Sequence, residues 1–149
     1  MPNRKVTIYT DGSCRPNPGV GGWGAIIMLG GYDYANTALF GGEAETTSSR
    51  MELVAAAEAL AHLTTSSAVQ LYTDSQYLRN GMVKKWAAGW SRRGWRTNAG
   101  SPVKNQDVWM RLLELDALHD VEWIWVKGHK GNLYNEVADR LANTGRLRG

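Results

Sequence analysis

The chain has 149 residues, of which 43% are hydrophobic and 21% charged, and a formal net charge of +3. That length suits one domain with one core, and the composition excludes a disordered chain. The sequence holds no apolar run near the ~20 residues of a membrane span. Its single cysteine, Cys14, excludes both an intramolecular disulfide and a cysteine-rich zinc site.

The opening Met1-Pro-Asn-Arg-Lys5 leads straight into a strand pattern with no apolar segment behind its charges, so a cytoplasmic chain is expected. Val6 to Asp11 alternates like a strand, and Gly12 is expected to end it. Gly21 to Leu29 and Tyr32 to Phe40 follow, joined by Gly30-Gly31, which signals a hairpin. Thr47 to Leu63 is rich in Ala and Leu and free of Pro and Gly, which predicts a helix. Val69 to Thr73 reads as a strand. Ser75 to Trp90 reads as helical, with interruptions expected at Gly81 and Gly89. A Gly/Ser/Asn-rich loop spans Gly94 to Pro102, and Val108 to Leu118 is an amphipathic helix. Val121 to Val126 is a strand and Glu136 to Leu147 a closing helix. Strands separated by helices suit parallel pairing, whereas the opening hairpins suit antiparallel pairing. The expected architecture is therefore α/β, a five-stranded mixed sheet with helices on both faces. One domain over residues 1–149 is expected, with a basic protrusion at about 80–102.

That protrusion concentrates the charge. Ser75 to Gln106 contains no acidic residue but seven cations, Arg79, Lys84, Lys85, Arg92, Arg93, Arg96 and Lys104. The rest of the chain is therefore net negative. Trp86, Trp90 and Trp95 lie in the same stretch. Cations interleaved with flat aromatic rings suit a nucleic-acid strand. A solvated helix face with its tryptophans turned into the core is the alternative.

Four carboxylates stand out. Ile8-Tyr-Thr-Asp11 and Leu71-Tyr-Thr-Asp74 each place an aspartate at the end of a β-run. One such aspartate serves a turn as readily as a ligand. Two in the same context would meet if their strands are parallel neighbours, since ligands of such sheets gather at the carboxyl ends of the strands. Glu52 fits a capping box after Ser49, in which it would only reach back to a backbone N–H. If Thr47 instead caps the helix, Glu52 lies inside it, about 100° from Glu58 and His62 and leaning toward Ala56, Leu60 and Leu63. A carboxylate there must be paired or metal-bound. Asp139, early in the last helix, could do no more than favour the helix dipole. Oxygen ligands with few competing His or Cys specify hard divalent cations such as Mg²⁺ or Mn²⁺. Beside a basic arm, they imply phosphodiester chemistry. His129, in a Gly-flanked loop after a strand, suits a proton carrier or merely an exposed side chain.

Four segments, Tyr9 to Gly19, Thr46 to Leu53, Tyr72 to Tyr77, and Trp125 to His129 with Asn135-Glu136 and Asp139, resemble the bacterial form of the type 1 ribonuclease H family. The resemblance runs from about Lys5 to Leu141 in the family's order and spacing. It implies a ribonuclease H-like fold and a monomeric endonuclease that cuts the RNA strand of RNA–DNA hybrids, leaving 5′-phosphate and 3′-hydroxyl ends. It implies two Mg²⁺ ions, with Mn²⁺ a substitute, held by Asp11, Glu52, Asp74 and Asp139. Asp11 would be shared between the ions, Asp139 would join it on the nucleophile side, and Glu52 and Asp74 on the leaving-group side. His129 would assist proton movement or product release. Asn17, Ser48 and Gln76 occupy positions facing the substrate backbone, and Thr47 the DNA-phosphate pocket. Lys84, Lys85, Trp86, Arg92, Arg93 and Trp95 fall in the basic handle for the DNA strand. The family pattern carries Asn-Asn where this chain has Ser48-Ser49, and some relatives have a cation where it has Glu45. An integrase- or transposase-like nuclease domain and an inactive hybrid-binding module are the alternatives. A domain cut from a polyprotein is a third, against which the initiating Met and compact ends favour an independent protein.

Overall fold

The computed structural model describes residues 4–30, 36–127 and 133–148. Strands β1 (Arg4–Cys14), β2 (Gly19–Leu29) and β3 (Asn36–Thr46) are followed by helix α1 (Ser48–His62) and strand β4 (Ser67–Thr73). Helices α2 (Gln76–Val83), α3 (Trp86–Arg92) and α4 (Gln106–Leu118), strand β5 (Asp120–Trp125) and helix α5 (Leu133–Arg148) complete the order. The sheet runs β3-β2-β1-β4-β5. β1–β2 and β2–β3 pair antiparallel, while β1–β4 and β4–β5 pair parallel. This is the expected mixed sheet.

Alternation along the strands divides the apolar residues between two faces. Val6, Ile8, Ala25, Ile27, Val69 and Leu71 face α1 and α4 in the main core. Tyr9, Ile26 and Met28 point the other way and meet Ala138 of α5. Helices therefore cover both faces. α1 can lie close because Ala55, Ala56, Ala57 and Ala59 are fully buried and small. Thr47 caps it, its hydroxyl accepting the Arg50 N–H at 3.1 Å. The helix thus starts before the Ser49 that a capping box would use.

Three expectations are corrected. Gly12 does not end β1, which pairs with β2 as far as Cys14 opposite Gly21. Gly81 and Gly89 do not interrupt helices, for each lies inside one. Gly81 is there because a Cβ would stand 2.1 Å from the ring of the fully buried Trp109. The break falls instead at Lys85, held at φ 63°, so this region contains two helices before α4. Finally, α5 begins at Leu133, earlier than the Glu136 read from the pattern. Of the predicted Tyr32–Phe40 strand, residues 32–35 lie outside the described residues, and β3 runs on to Thr46. Among the described residues no helix is long and apolar enough to cross a membrane.

Candidate active site

The β1–β4 register pairs Tyr9 with Tyr72. Asp11 and Asp74 each lie two residues beyond that pair, toward the carboxyl end of both strands. Asp11 is not the last residue of its strand, since it pairs with Gly24 of β2. Asp74 does follow β4 directly. Glu52 reaches the same point from the first turns of α1. That approach requires Gly12, where a Cβ would stand 2.6 Å from the Glu52 backbone nitrogen.

Asp11, Glu52 and Asp74 each bring one carboxylate oxygen within 4.8 Å of the other two. They floor a cleft of about 250 Å³ shared with Gly12, Ser48, Ser49 and Ser75. Asp11 is 3% exposed and Glu52 8%. Asp11 Oδ1 accepts the Gly12 N–H at 2.9 Å. Burial holds the Glu52 carboxyl well above the usual carboxylate range, and the charges of Asp11 and Asp74 push it the same way. Three carboxylates gathered out of water repel one another, and a cation among them removes that cost. The donors are all oxygens, which fits a hard divalent ion.

The surrounding chain fixes Asp74 from several sides. Thr73 is fully buried, its hydroxyl accepts the Ser75 N–H at 3.0 Å, and its carbonyl accepts the Val126 N–H at 2.8 Å. The Trp125 indole donates to the Asp74 carbonyl at 3.0 Å. Arg50, two residues before Glu52, makes a bidentate pair with Asp107 of α4 at 2.9 and 2.7 Å and meets Glu43 of β3 at 3.1 Å. The Arg50 partnership holds the Asp107 carboxyl below its ordinary value, and Asp107 in turn raises the Arg50 guanidinium. Trp125 and Arg50 were missed as site supports. Both lie within motifs that resemble the family's, but their partners are distant in sequence.

The other expected residues are placed as follows. Asp139 is half-buried on α5 and stands outside the trio whose oxygens fall within 4.8 Å. His129 lies outside the described residues. Asn17 and Ser48 bond reciprocally, the Asn17 amide donating to Ser48 Oγ at 3.0 Å and accepting the Ser48 N–H at 3.2 Å. Thr47 lines a second groove with Pro18, Gly19, Glu45 and Thr46. Gln76 is exposed at the start of α2.

Lys84, Lys85, Trp86, Arg92 and Arg93 are all exposed and line one groove of about 450 Å³. Lys84 Nζ sits 5.9 Å from the centre of the Trp86 ring. Trp90 and Trp95 instead pack against the main core, Trp90 edge-on to Trp109 at 5.7 Å. Lys84, Lys85, Arg92, Arg93 and Trp86 face outward, while Trp90 and Trp95 are half-buried against the core.

Residues 3–146 match the RNase H family profile. Ribonuclease H of Gluconobacter oxydans strain 621H is 53% identical over 142 residues, covering 95% of this chain and 92% of that protein. The crystal structure of LC9-RNase H1, a type 1 RNase H with the type 2 active-site motif, superposes with a TM-score of 0.85 at 32% identity. That match covers 99% of this chain and 74% of the other. LC11-RNase H1, solved in complex with an RNA/DNA hybrid, shares the fold, with a TM-score of 0.71 at 19% identity over 96% of this chain and 97% of the other.

Proposed function

The chain belongs to the ribonuclease H family, whose members cut the RNA of RNA–DNA hybrids, and we propose that it does so with two Mg²⁺ ions, leaving 5′-phosphate and 3′-hydroxyl ends. The family depends on divalent metal, and the acidic cluster offers it a site. The observation that carries the reading is the meeting of Asp11, Glu52 and Asp74 at one strand-end cleft. When bound, divalent ions activate an attacking water and neutralise charge on the leaving oxygen.

The chain's own residues then have separate tasks. Asp11, Glu52, Asp74 and Asp139 would hold the ions, Asp11 serving as a ligand to both. His129 moves a proton near the cut. Asn17, Ser48 and Gln76 face the substrate backbone, and Thr47 a phosphate of the DNA strand. Lys84, Lys85, Arg92 and Arg93 bind phosphates along the arm, with Trp86 against a sugar. Trp95 supports the arm from within. RNA is distinguished by its 2′-hydroxyls and by hybrid shape, which backbone contacts can read. That a related protein was solved with a hybrid bound supports the substrate. The whole chain acts as one domain and one copy, with residues at about 80–102 forming the protrusion, and works in the cytoplasm.

A strand-labelled hybrid tests the proposal directly. The protein should cut only the RNA strand, and only with Mg²⁺ or Mn²⁺ present. Asp11→Asn should abolish cleavage while leaving hybrid affinity near the wild-type value, because it removes a shared ligand and almost no volume. Mg²⁺-dependent turnover near the wild-type rate in that variant would overturn the assignment of the cluster.

A further inference from the structure

Asp139 lies outside the trio whose oxygens fall within 4.8 Å of one another, and the seat of α5 on the sheet sets its place relative to them. α5 carries it, and at Gly22 and Gly24 the α5 backbone comes close against β2. Gly24, opposite Asp11 in the sheet, would bring a Cβ within 2.6 Å of the Ala138 carbonyl and the Ala142 nitrogen. Gly22, opposite Ser13, would bring one within 2.1 Å of the Arg146 nitrogen and 2.2 Å of the Ala142 carbonyl. The helix backbone therefore sits directly on the sheet on either side of Asp139.

One polar tie locks the remaining sliding freedom. Ser13, two residues after Asp11 on β1 and 9% exposed, donates its hydroxyl to Asn143 Oδ1 at 3.0 Å. The same Asn143 side chain donates through Nδ2 to the Asp139 carbonyl, one turn earlier on α5, at 3.1 Å. With both ends of the amide engaged, its orientation is fixed. A single side chain thus connects the strand bearing Asp11 to the peptide unit bearing Asp139.

We infer that Asn143 is a positioning residue, which with Ser13 sets the separation of Asp139 from Asp11 and so the affinity of the ion those two carboxylates share. The inference rests on the proposed metal role of Asp139. Partners that orient a ligand from outside the coordination shell are commonly worth 10- to 100-fold in metal affinity.

The test is a Mn²⁺ titration followed by electron paramagnetic resonance, on protein saturated with a hybrid made uncleavable around the scissile phosphate. Asn143→Ala and Ser13→Ala should each raise the Mn²⁺ concentration for half-occupancy of the weaker ion roughly 10-fold. The double variant should be no worse than either single one, since both remove the same tie. Hybrid affinity should stay within about twofold. Ser13→Ala loses only a hydroxyl, so it serves alone if the Asn143 variant does not fold. Unchanged Mn²⁺ occupancy in Ser13→Ala, or fully additive losses in the pair, overturns the inference. Asp139→Asn is the control for the reading beneath it. If that variant binds Mn²⁺ like the wild type, the metal role of Asp139 fails. If it loses an ion while the Ser13 and Asn143 variants do not, only the positioning role fails.

Discussion

At the scale of single residues, two titratable groups, the buried Glu52 and the half-buried His119, act in opposite directions. Glu52 has its folded pKa raised, mainly by burial and then by Asp11. A carboxyl so shifted contributes stability below its unfolded pKa and loses it as pH rises through the folded one. At neutral pH the metal-free protein therefore bears a cost that Glu52→Gln removes. That variant should melt higher than the wild type in EDTA, by about 2–4 °C for each kcal/mol recovered. It should also gain less from added Mg²⁺. An EDTA melting point at or below the wild-type value would contradict the account. His119 behaves oppositely. Its Nδ1 accepts the Ser67 N–H at 3.1 Å, and burial lowers its pKa, with the Leu60 carbonyl opposing. A histidine depressed on folding contributes stability above its unfolded pKa of 6.5. That stability drains as pH falls through 6.5 toward the folded value. Measured in a Glu52→Gln background, where the opposite carboxylate slope is absent, Tm should fall between pH 7.5 and 5. His119→Asn should flatten that fall. Glu52 was legible because a carboxylate on an apolar helix side is anomalous in sequence. His119 was not, since its partners Ser67 and Leu60 come from other elements and leave no local pattern.

At the scale of elements, periodicity carried the strands and long helices, and glycine misled. Gly12 and Gly81 were read as breaks because glycine often ends regular structure. Both instead mark close approach, Gly12 to the first turns of α1 and Gly81 to the Trp109 ring. The sequence shows a glycine but not what lies against it. The true break at Lys85 occurs at a residue with no local signal for a left-handed conformation. Likewise the convergence of Asp11 and Asp74 was visible as a repeated strand ending, whereas the tie between Ser13 and Asn143 spans 130 positions. The glycine reading is testable. Gly81→Ala would be favourable in an ordinary helix, by about 1 kcal/mol from propensity alone. Here the added methyl meets an aromatic ring that is fully buried, braced by the Tyr77 hydroxyl and Trp90. Urea unfolding should show a net loss of about 1–3 kcal/mol, the usual cost of overpacking. A stability gain would mean that Trp109 can move aside, and the steric account of Gly81 would be wrong.

At the scale of the molecule, the charge is divided as the chemistry requires. Acidic groups converge at the carboxyl end of β1 and β4, and the exposed cations Lys84, Lys85, Arg92 and Arg93 line a separate groove around α3. A polyanion can then be held by the arm while one of its phosphates enters the acidic cleft. If so, the arm supplies binding far from the reacting phosphate, and equally so in the ground and transition states. Neutralising Lys84, Lys85, Arg92 and Arg93 together should therefore raise KM for the hybrid much more than it lowers kcat. Counterion release gives an independent readout. For every phosphate that the variant no longer neutralises, the slope of log affinity against log salt should fall by roughly 0.7–0.9. Trp86→Ala should weaken binding while leaving that slope nearly unchanged, because packing against a sugar releases no counterions. The two results together separate charge from packing, which a fall in affinity alone does not. If the quadruple variant keeps the wild-type KM and salt slope, the arm is only a solvated surface. The hybrid would then have to be held by neutral donors such as Asn17, Thr47, Ser48 and Gln76, and its salt dependence would trace to cations outside the arm.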